Sequence, residues 1–367
     1  MSEVRDVPAA KPLSYMPQLD GLRALCIFAV IVVHYMPESH WMHLTPLAGI
    51  GVRCFFVLSG YLITEILLKI KREAGHDPAQ RLLLTRNFYI RRSLRIFPVY
   101  YLTLLVIYAL DVQHARESIG WTLTYTVNFY FAMREVLLWS IAHFWSLSVE
   151  EQFYIVWPWL IVWTPPSRLM GVILATIATG PLFHVFCRLQ GPEWYVAMGT
   201  LPFGNLDALG LGAFFALCDT RNSPYAKWAE PIARAGIWIG LPLFAVFAAM
   251  RYAGLWPFIP RVLSSFVLTL ALGWAVYRSA RGFGGWLGKL LEWRPLRYIG
   301  RISYGMYINH VFMLLFAPWL LRQIGLNMPG SLTAQFLIMT AFCIATASLT
   351  WHLFEKPLNN LKRRFPC

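Results

Sequence analysis

The chain has 367 residues, of which 57% are hydrophobic and 14% are charged, and its mean hydropathy is +0.51. Soluble domains carry roughly 25% charged residues, so this composition excludes an ordinary soluble domain and indicates a polytopic α-helical membrane protein. The net charge of +14 does not indicate a nucleic-acid partner, because most lysines and arginines lie in a few loops between apolar runs. The six cysteines are scattered, so neither a disulfide framework nor a metal site is predicted.

Ten apolar runs are long enough to cross a bilayer as helices, which takes about 20 residues each. The predicted spans are 19–37, 48–70, 87–110, 140–163, 168–188, 200–218, 232–250, 258–278, 300–321 and 332–355. An eleventh run, 119–133, is short and polar, with three threonines and an asparagine. If this run does not span and the N-terminus is cytoplasmic, the basic loops 69–86 and 279–299 and the basic C-terminal tail all lie inside.

The positive-inside rule therefore predicts an all-α bundle of about ten transmembrane helices with both termini cytoplasmic. The run 119–133 is then a re-entrant or interfacial piece. The expected organisation is a cytoplasmic segment 1–18, a membrane domain 19–355 and a basic cytoplasmic tail 356–367.

The first span carries ionisable residues at Asp20, Arg23 and His34. Asp20 and Arg23 are three residues apart, so they can meet on one helix face. Arg23 and His34 are close to three turns apart, so they share a face and are separated by about 16 Å along the axis. Ionisable groups inside a span are costly and usually face a protein interior or a water-filled cavity, so this face is predicted to border a site.

The third span begins with FYIRRSLRIFPVYY, which holds Arg91, Arg92 and Arg95. Anchoring by the positive-inside rule, with the long side chain reaching the interface, accounts well for Arg91. It accounts poorly for Arg95, which lies about 13 Å into the helix. Guanidinium pairs suit bidentate binding of phosphate or carboxylate, so Arg92 and Arg95 are candidate ligands for such a group.

The fourth span places two carboxylates near mid-membrane, in HFWSLSVEEQFYIVWPW. Glu150 is four residues from both Ser146 and Tyr154, whereas Glu151 faces about 100° away. Ser148 belongs to a second polar pair at the same spacing. A structural ion pair with an arginine can explain one carboxylate, and the other would be free to hold a proton, orient a base or bind an acceptor hydroxyl.

The ninth span opens with GRISYGMYINH, which places Ser303, Tyr304 and Tyr307 on neighbouring faces and His310 three residues further on. A single membrane histidine is often a satisfied core residue, so His310 has both a packing and a functional interpretation. Ser59 has no GxSxG context and is a poor nucleophile candidate. The remaining polar residues of interest within spans are Arg53, Asn205 and Asp207.

Taken together, these motifs resemble those of the acyltransferase 3 family of integral-membrane acyltransferases. The matching stretches are QLDGLRAL followed by His34, GVRCFFVLSGYLIT, RRSLRIFPVYY, FWSLSVEEQFY and GRISYGMYINH. They cover nearly the whole chain in order, and five motifs in register are far more specific than one. The chain departs from the family at Asn205, where an arginine is expected in many relatives.

The resemblance implies transfer of an acyl group, usually acetyl, from cytoplasmic acyl-CoA to a hydroxyl of an acceptor at the bacterial inner membrane. Expected acceptors are envelope or secreted carbohydrates such as lipopolysaccharide O-antigen, exopolysaccharide, peptidoglycan or lipid-linked sugars, with an antibiotic or other small glycoside as the alternative. Acyl-CoA is expected as a co-substrate, with no bound cofactor and no metal.

Residue roles follow by joining the resemblance to the predicted topology. His34 is the expected general base, because the unperturbed pKa of imidazole lies near neutrality, and Glu150 or Glu151 is expected to orient or stabilise its ring. The residues expected to bind acyl-CoA are Arg92, Arg95 and Arg23. The residues expected to support the site are Asp20, Ser146, Ser148, Tyr154, Ser303, Tyr304 and His310.

Two other classes of protein compete with the enzyme. A proton-coupled transporter or flippase would also carry glutamate, arginine and histidine near the midplane, but the two halves of the sequence show no repeat symmetry. A non-catalytic membrane scaffold explains the intramembrane charges worst.

Overall fold

The computed structural model describes residues 15–220, 222–255 and 258–367. The described residues fold almost entirely into helices and contain no strand, which confirms the predicted all-α class. The predicted cytoplasmic segment 1–18 lies outside the described residues as far as residue 14.

Sixteen α-helices occur in the described part of the chain. In order they are α1 (Pro17–His34), α2 (Leu47–Ala74), α3 (Pro78–Ala109), α4 (Ile119–Leu123), α5 (Val127–Arg134), α6 (Phe144–Trp163), α7 (Pro166–Gln190), α8 (Tyr195–Thr200), α9 (Leu206–Asp219), α10 (Ala226–Ala235), α11 (Leu241–Tyr252), α12 (Phe258–Arg281), α13 (Gly285–Leu291), α14 (Arg294–Gln323), α15 (Leu332–Thr350) and α16 (Lys356–Leu361). Short π-helical segments join α10 to α11 (Gly236–Gly240) and α15 to α16 (Trp351–Glu355). Short 3₁₀ helices occupy Trp41–Leu44, Val112–Ser118, Pro192–Trp194, Pro202–Asn205 and Lys362–Arg364.

The described helices make this a multi-pass membrane protein. Seven helical stretches are long and apolar enough to cross a bilayer, and an eighth is the pair Pro192–Thr200 and Pro202–Asp219, which is bent by 66° at the break. The helices α3 and α6 contain 32 and 20 residues and carry the predicted arginine and glutamate pairs. All ten predicted spans lie on helices of the described chain, while their number across the membrane and their orientation stay predictions.

The polar run 119–133 does not form one continuous helix. It folds into α4 and α5, of five and eight residues. The chain breaks between them at Tyr125, whose backbone φ of +55° is not helical. Side chains of neighbouring helices bind the carbonyls freed by this break. Gln152 donates to the Tyr125 carbonyl (2.8 Å) and Tyr100 to the Thr122 carbonyl (2.7 Å). Broken backbone at membrane depth is tolerated where protein groups satisfy it in this way.

The start of the first motif fixes the position of α1. Gln18 is buried, and its amide donates to the Phe283 carbonyl (3.1 Å) and the Glu292 carboxylate (2.8 Å) while its oxygen accepts from the Phe283 N–H (2.6 Å). Gly300 lies against the backbone carbonyl of Asp20, where a Cβ would clash. Close backbone approach at small residues is typical of membrane helix pairs, so these contacts set the depth of α1 between α13 and α14.

The helices α2 and α9 form a second close pair. A Cβ at Gly60 would clash with the carbonyl oxygen of Leu209, and a Cβ at Gly212 with the carbonyl oxygen of Val57. Of the two helices, α2 supplies residues to the site described below, and α9 packs against α2.

Gly60→Ala is expected to lower the thermal unfolding temperature of the detergent-solubilised protein by several degrees, because the added methyl group meets backbone and not a flexible side chain. Gly49→Ala is the matched control on α2, since nothing lies within 4 Å of a Cβ built there. Equal melting temperatures for the two variants would contradict the close α2–α9 packing.

Candidate active site

A cavity of about 210 Å³ lies between α1, α2, α3, α6 and α14, and it is called the arginine cavity here. Its polar lining consists of Arg23, Ser59, Arg92, Arg95, Ser146, Glu150, Tyr154, Ser303, Tyr304 and Tyr307. Five helices thus bring together residues from all five sequence motifs. Of the thirteen predicted site residues, eight line this cavity.

The arginine cavity carries more positive than negative charge. Arg92 donates to the hydroxyl of Tyr154, and its guanidinium lies 4.1 Å from the centroid of that ring. Within the described residues, Arg23 and Arg95 form no hydrogen bond or ion pair, and Glu150 forms no ion pair within 4 Å. Buried charges without partners are costly, so an excess of guanidinium groups here favours an anionic ligand.

Hydrogen bonds of their own hydroxyl groups hold Tyr154 and Tyr304 in place in this cavity. The hydroxyl of Tyr154 is hydrogen-bonded to Ser59 as well as to Arg92. The hydroxyl of Tyr304 donates to the Ile96 carbonyl (2.9 Å) on α3. Ser59, which the sequence presents as a poor nucleophile, therefore has a different task, because it supports the tyrosine that contacts Arg92.

The contact that helical spacing allows between Asp20 and Arg23 does not form. The carboxylate of Asp20 accepts a hydrogen bond from Tyr15 (2.6 Å), and no Asp20–Arg23 ion pair forms within 4 Å in the described chain. A spacing of three residues permits contact on a helix, but here Arg23 faces the cavity and Asp20 faces Tyr15.

Two predicted residues of α6 lie away from the cavities. Glu151 is buried but is not among the residues that line either cavity. Ser148 donates to the Phe144 carbonyl one turn earlier (3.1 Å), a bond that satisfies the hydroxyl within its own helix. Of the two carboxylates, Glu150 is therefore the one that faces Arg23, Arg92 and Arg95 across a cavity.

A second cavity, of about 400 Å³, lies at the other end of α1 and is called the histidine cavity here. His34, His143 and His184 line it, together with Arg53 and Asn205. Trp139 and Trp145 add two indole rings. The face shared by Arg23 and His34 thus borders one cavity at each end.

The imidazole of His34 is paired with another imidazole. Its Nδ1 lies 2.8 Å from Nε2 of His310, and the ring centroids are 4.9 Å apart. His310 is fully buried. The sequence assigned the orienting role to Glu150 or Glu151, whereas among the described residues the hydrogen-bond partner of His34 is His310 and neither glutamate lines the histidine cavity.

Val52 and Tyr307 line both cavities and form the wall between them. The hydroxyl of Tyr307 shares a hydrogen bond with Ser146 (2.5 Å) and donates to the His143 carbonyl (3.3 Å). The two cavities are therefore neighbours that share these two lining side chains.

A buried ion pair borders the histidine cavity. Arg53 contacts the Asp207 carboxylate, and it also donates to the Thr269 hydroxyl from Nε (3.0 Å) and Nη2 (2.7 Å). The side chains of Arg53 and Asp207 are 10% and 2% exposed. The pair links α2, α9 and α12 at the back of the cavity.

Asp207→Ala is expected to lower the free energy of unfolding by about 3–5 kcal/mol, because Arg53 would stay buried without its counter-charge. Chemical unfolding in detergent measures the change. The control is Glu230→Ala, which breaks the exposed Glu230–Arg234 pair and should cost about 1 kcal/mol or less. Similar losses in the free energy of unfolding for the two variants would contradict a stabilising role for the buried Arg53–Asp207 pair.

Sequence reasoning left three residues of the site without a role. His143 stands at the start of the glutamate motif, and its buried Nδ1 has no hydrogen-bond partner. The sequence places Tyr307 on a helix face but does not reveal that it lines both cavities. Asn205 replaces the expected arginine and donates to the carbonyls of Gly199 (3.0 Å) and Leu201 (3.1 Å), which satisfies the backbone at the bend between α8 and α9.

Comparison with known families supports the grouping of these motifs. The family model described as "Acyltransferase domain" matches residues 16–352. The chain therefore belongs to the acyltransferase 3 family, as the motifs predicted.

Three relatives illustrate the range of similarity. The provisionally named peptidoglycan O-acetyltransferase YrhL of Bacillus subtilis is 30% identical, with 94% of this chain and 55% of YrhL covered. The peptidoglycan O-acetyltransferase OatA of Listeria monocytogenes is 28% identical, with 94% and 56% covered. A provisionally named O-acetyltransferase of Staphylococcus aureus, SAS0844, is 27% identical, with 86% and 53% covered. The chain spans about half the length of these relatives, and no solved structure matches it significantly.

Proposed function

We propose that this protein is an O-acetyltransferase of the bacterial inner membrane that moves an acetyl group from acyl-CoA to a hydroxyl of a cell-envelope carbohydrate. The observation that carries the proposal is the pair of cavities at the two ends of the Arg23–His34 face, which share Val52 and Tyr307 as lining residues. One cavity is cationic and the other presents imidazoles. This division suits a phosphate-bearing donor on one side and a hydroxyl-bearing acceptor on the other.

On the donor side, the arginine cavity supplies three guanidinium groups from α1 and α3. Arginine binds phosphate through paired N–H donors, and it keeps its charge when buried. In this proposal Arg92, Arg95 and Arg23 hold the phosphates of acyl-CoA at the cytoplasmic side, and the narrow acyl-pantetheine arm extends toward Tyr307. The positive-inside prediction supports this orientation.

On the acceptor side, His34 is the general base. Its imidazole takes the proton of the acceptor hydroxyl while the hydroxyl oxygen attacks the thioester carbonyl carbon. The C–S bond then breaks, and the CoA thiolate leaves and takes up a proton. The faces of Trp139 and Trp145 offer apolar surfaces beside polar groups, which suits a sugar ring.

The acceptor is proposed as an envelope carbohydrate. Two of the relatives carry peptidoglycan in their names, so peptidoglycan fragments are the first acceptors to test. Lipopolysaccharide O-antigen, exopolysaccharide and small glycosides form the comparison set.

The test uses the full chain in lipid nanodiscs with acetyl-CoA radiolabelled in the acetyl group and each acceptor in turn. Label that becomes covalently attached to a carbohydrate supports the proposal, and mass spectrometry then gives the acceptor and position. Reconstituted vesicles run in parallel distinguish the transporter alternative. Accumulation of unmodified carbohydrate in those vesicles without any labelled product would overturn the proposal.

A further inference from the structure

Three imidazole rings cluster where α1, α6 and α14 meet. The ring of His310 lies 4.9 Å from that of His34 and 5.0 Å from that of His143, measured between centroids. Among the residues that the structure describes, no carboxylate lines the histidine cavity beside them. Among the described residues, the hydrogen-bond partner that can fix the protonation pattern of His34 is His310.

The backbone of α14 determines which nitrogen of His310 carries a proton. Nδ1 of His310 lies 2.6 Å from the carbonyl oxygen of Tyr307. A carbonyl oxygen only accepts, so Nδ1 of His310 must be the donor. In the neutral ring the other nitrogen, Nε2, is then an acceptor with a lone pair.

The protonation of His310 in turn determines which nitrogen of His34 carries a proton. Nε2 of His310 lies 2.8 Å from Nδ1 of His34, so His34 donates from Nδ1. In neutral His34 the lone pair then resides on Nε2, which has no hydrogen-bond partner in the described residues. His34 lines the histidine cavity, so this is the nitrogen left for an acceptor hydroxyl.

We infer that His310 is a positioning residue that holds His34 in the tautomer with a basic Nε2, through the chain from the Tyr307 carbonyl to His310 to His34. This inference rests on the proposed role of His34 as general base. A histidine base is normally held in one tautomer by the hydrogen bond at its other nitrogen. Here a second imidazole, itself fixed by a helix carbonyl, takes the place that a carboxylate occupies in a Ser-His-Asp triad.

Two substitutions separate the tautomer role from simple packing. His310→Leu fills similar space but removes the acceptor, and the rate of acetyl transfer is expected to fall by roughly 10–10²-fold. His310→Gln can place an amide oxygen near the former Nε2 position, and it is expected to recover most of that loss. His352→Leu is the matched control, because His352 is exposed in the segment Trp351–Glu355 after α15 and lines neither cavity.

Nitrogen-15 NMR of selectively histidine-labelled protein in nanodiscs gives a readout that a structural role would not move. The His34 signal, assigned by its loss in His34→Ala, is expected to show a protonated Nδ1 and an unprotonated Nε2. In His310→Leu this pattern is expected to become a mixture of the two tautomers, and in His310→Gln it is expected to be kept.

The outcomes distinguish this inference from the proposed function. If His34→Ala is inactive while His310→Leu keeps both the rate and the His34 tautomer, the inference fails and the base assignment stands. An equal loss in His310→Leu and His310→Gln with an unchanged His34 tautomer also overturns the inference, because it shows a packing role. If His34→Ala keeps its activity, the base assignment fails and this inference fails with it.

Discussion

Replacing His34 by alanine is expected to lower the rate of acetyl transfer by about 10²–10⁴-fold, the usual effect of removing a general base. His34 lines the histidine cavity and not the arginine cavity, so donor binding should change little. Initial rates at saturating acetyl-CoA, measured with labelled donor and acceptor, give the loss directly. Binding of acetyl-CoA to the same preparation checks that the site remains intact.

The control for this experiment is His76→Ala. His76 is exposed in the loop between α2 and α3 and lines neither cavity. Comparable elution in size-exclusion chromatography shows that both variants insert and fold. Near-normal transfer by His34→Ala would remove His34 from the mechanism, whatever the effect on donor binding.

The double variant Arg92→Ala, Arg95→Ala is expected to weaken acyl-CoA binding by about 10²–10⁴-fold. Hydrogen bonds to charged groups contribute about 1.5–3 kcal/mol each, and each 1.4 kcal/mol is a factor of about ten in affinity. Calorimetry or filter binding with CoA in nanodiscs measures the change. Binding to the unmodified protein should also weaken as salt rises, because the interaction is between charges.

Arg86→Ala is the matched control for the arginine pair. It lies on α3, like Arg92 and Arg95, but it is exposed and outside the arginine cavity. Loss of one exposed positive charge tests the effect of net charge alone. An unchanged CoA affinity in the double variant would assign the arginine cavity to another ligand.

The sequence predicted the helices and the residues that gather at the site because both depend on local patterns. Apolar runs of about 20 residues define spans wherever they fold. Helical spacing put Arg23 and His34 on one face, and each now borders a cavity. The same reasoning placed Glu150 and Tyr154 on one face of α6, and both line the arginine cavity.

Contacts between helices could not be predicted from local sequence patterns. Spacing allowed Asp20 to meet Arg23, but Tyr15 binds the carboxylate instead. The partner of His34 lies 276 positions away in the chain, a separation that no periodicity reveals. The wall formed by Val52 and Tyr307 likewise depends on how α2 and α14 are placed relative to each other, and the local patterns of the two motifs do not reveal this.

The wall formed by Val52 and Tyr307 also matters for the proton gradient across the membrane. A bacterial membrane stores free energy as a proton gradient, and any continuous file of water between two cavities on opposite sides would discharge it. In the proposed reaction an uncharged acetyl group passes between the cavities, so Val52 and Tyr307 can stay between them without an open path for protons or metal ions. If donor and acceptor bind as proposed, these two side chains also insulate the membrane, so smaller residues at this wall are expected to make it leak protons even where catalysis survives.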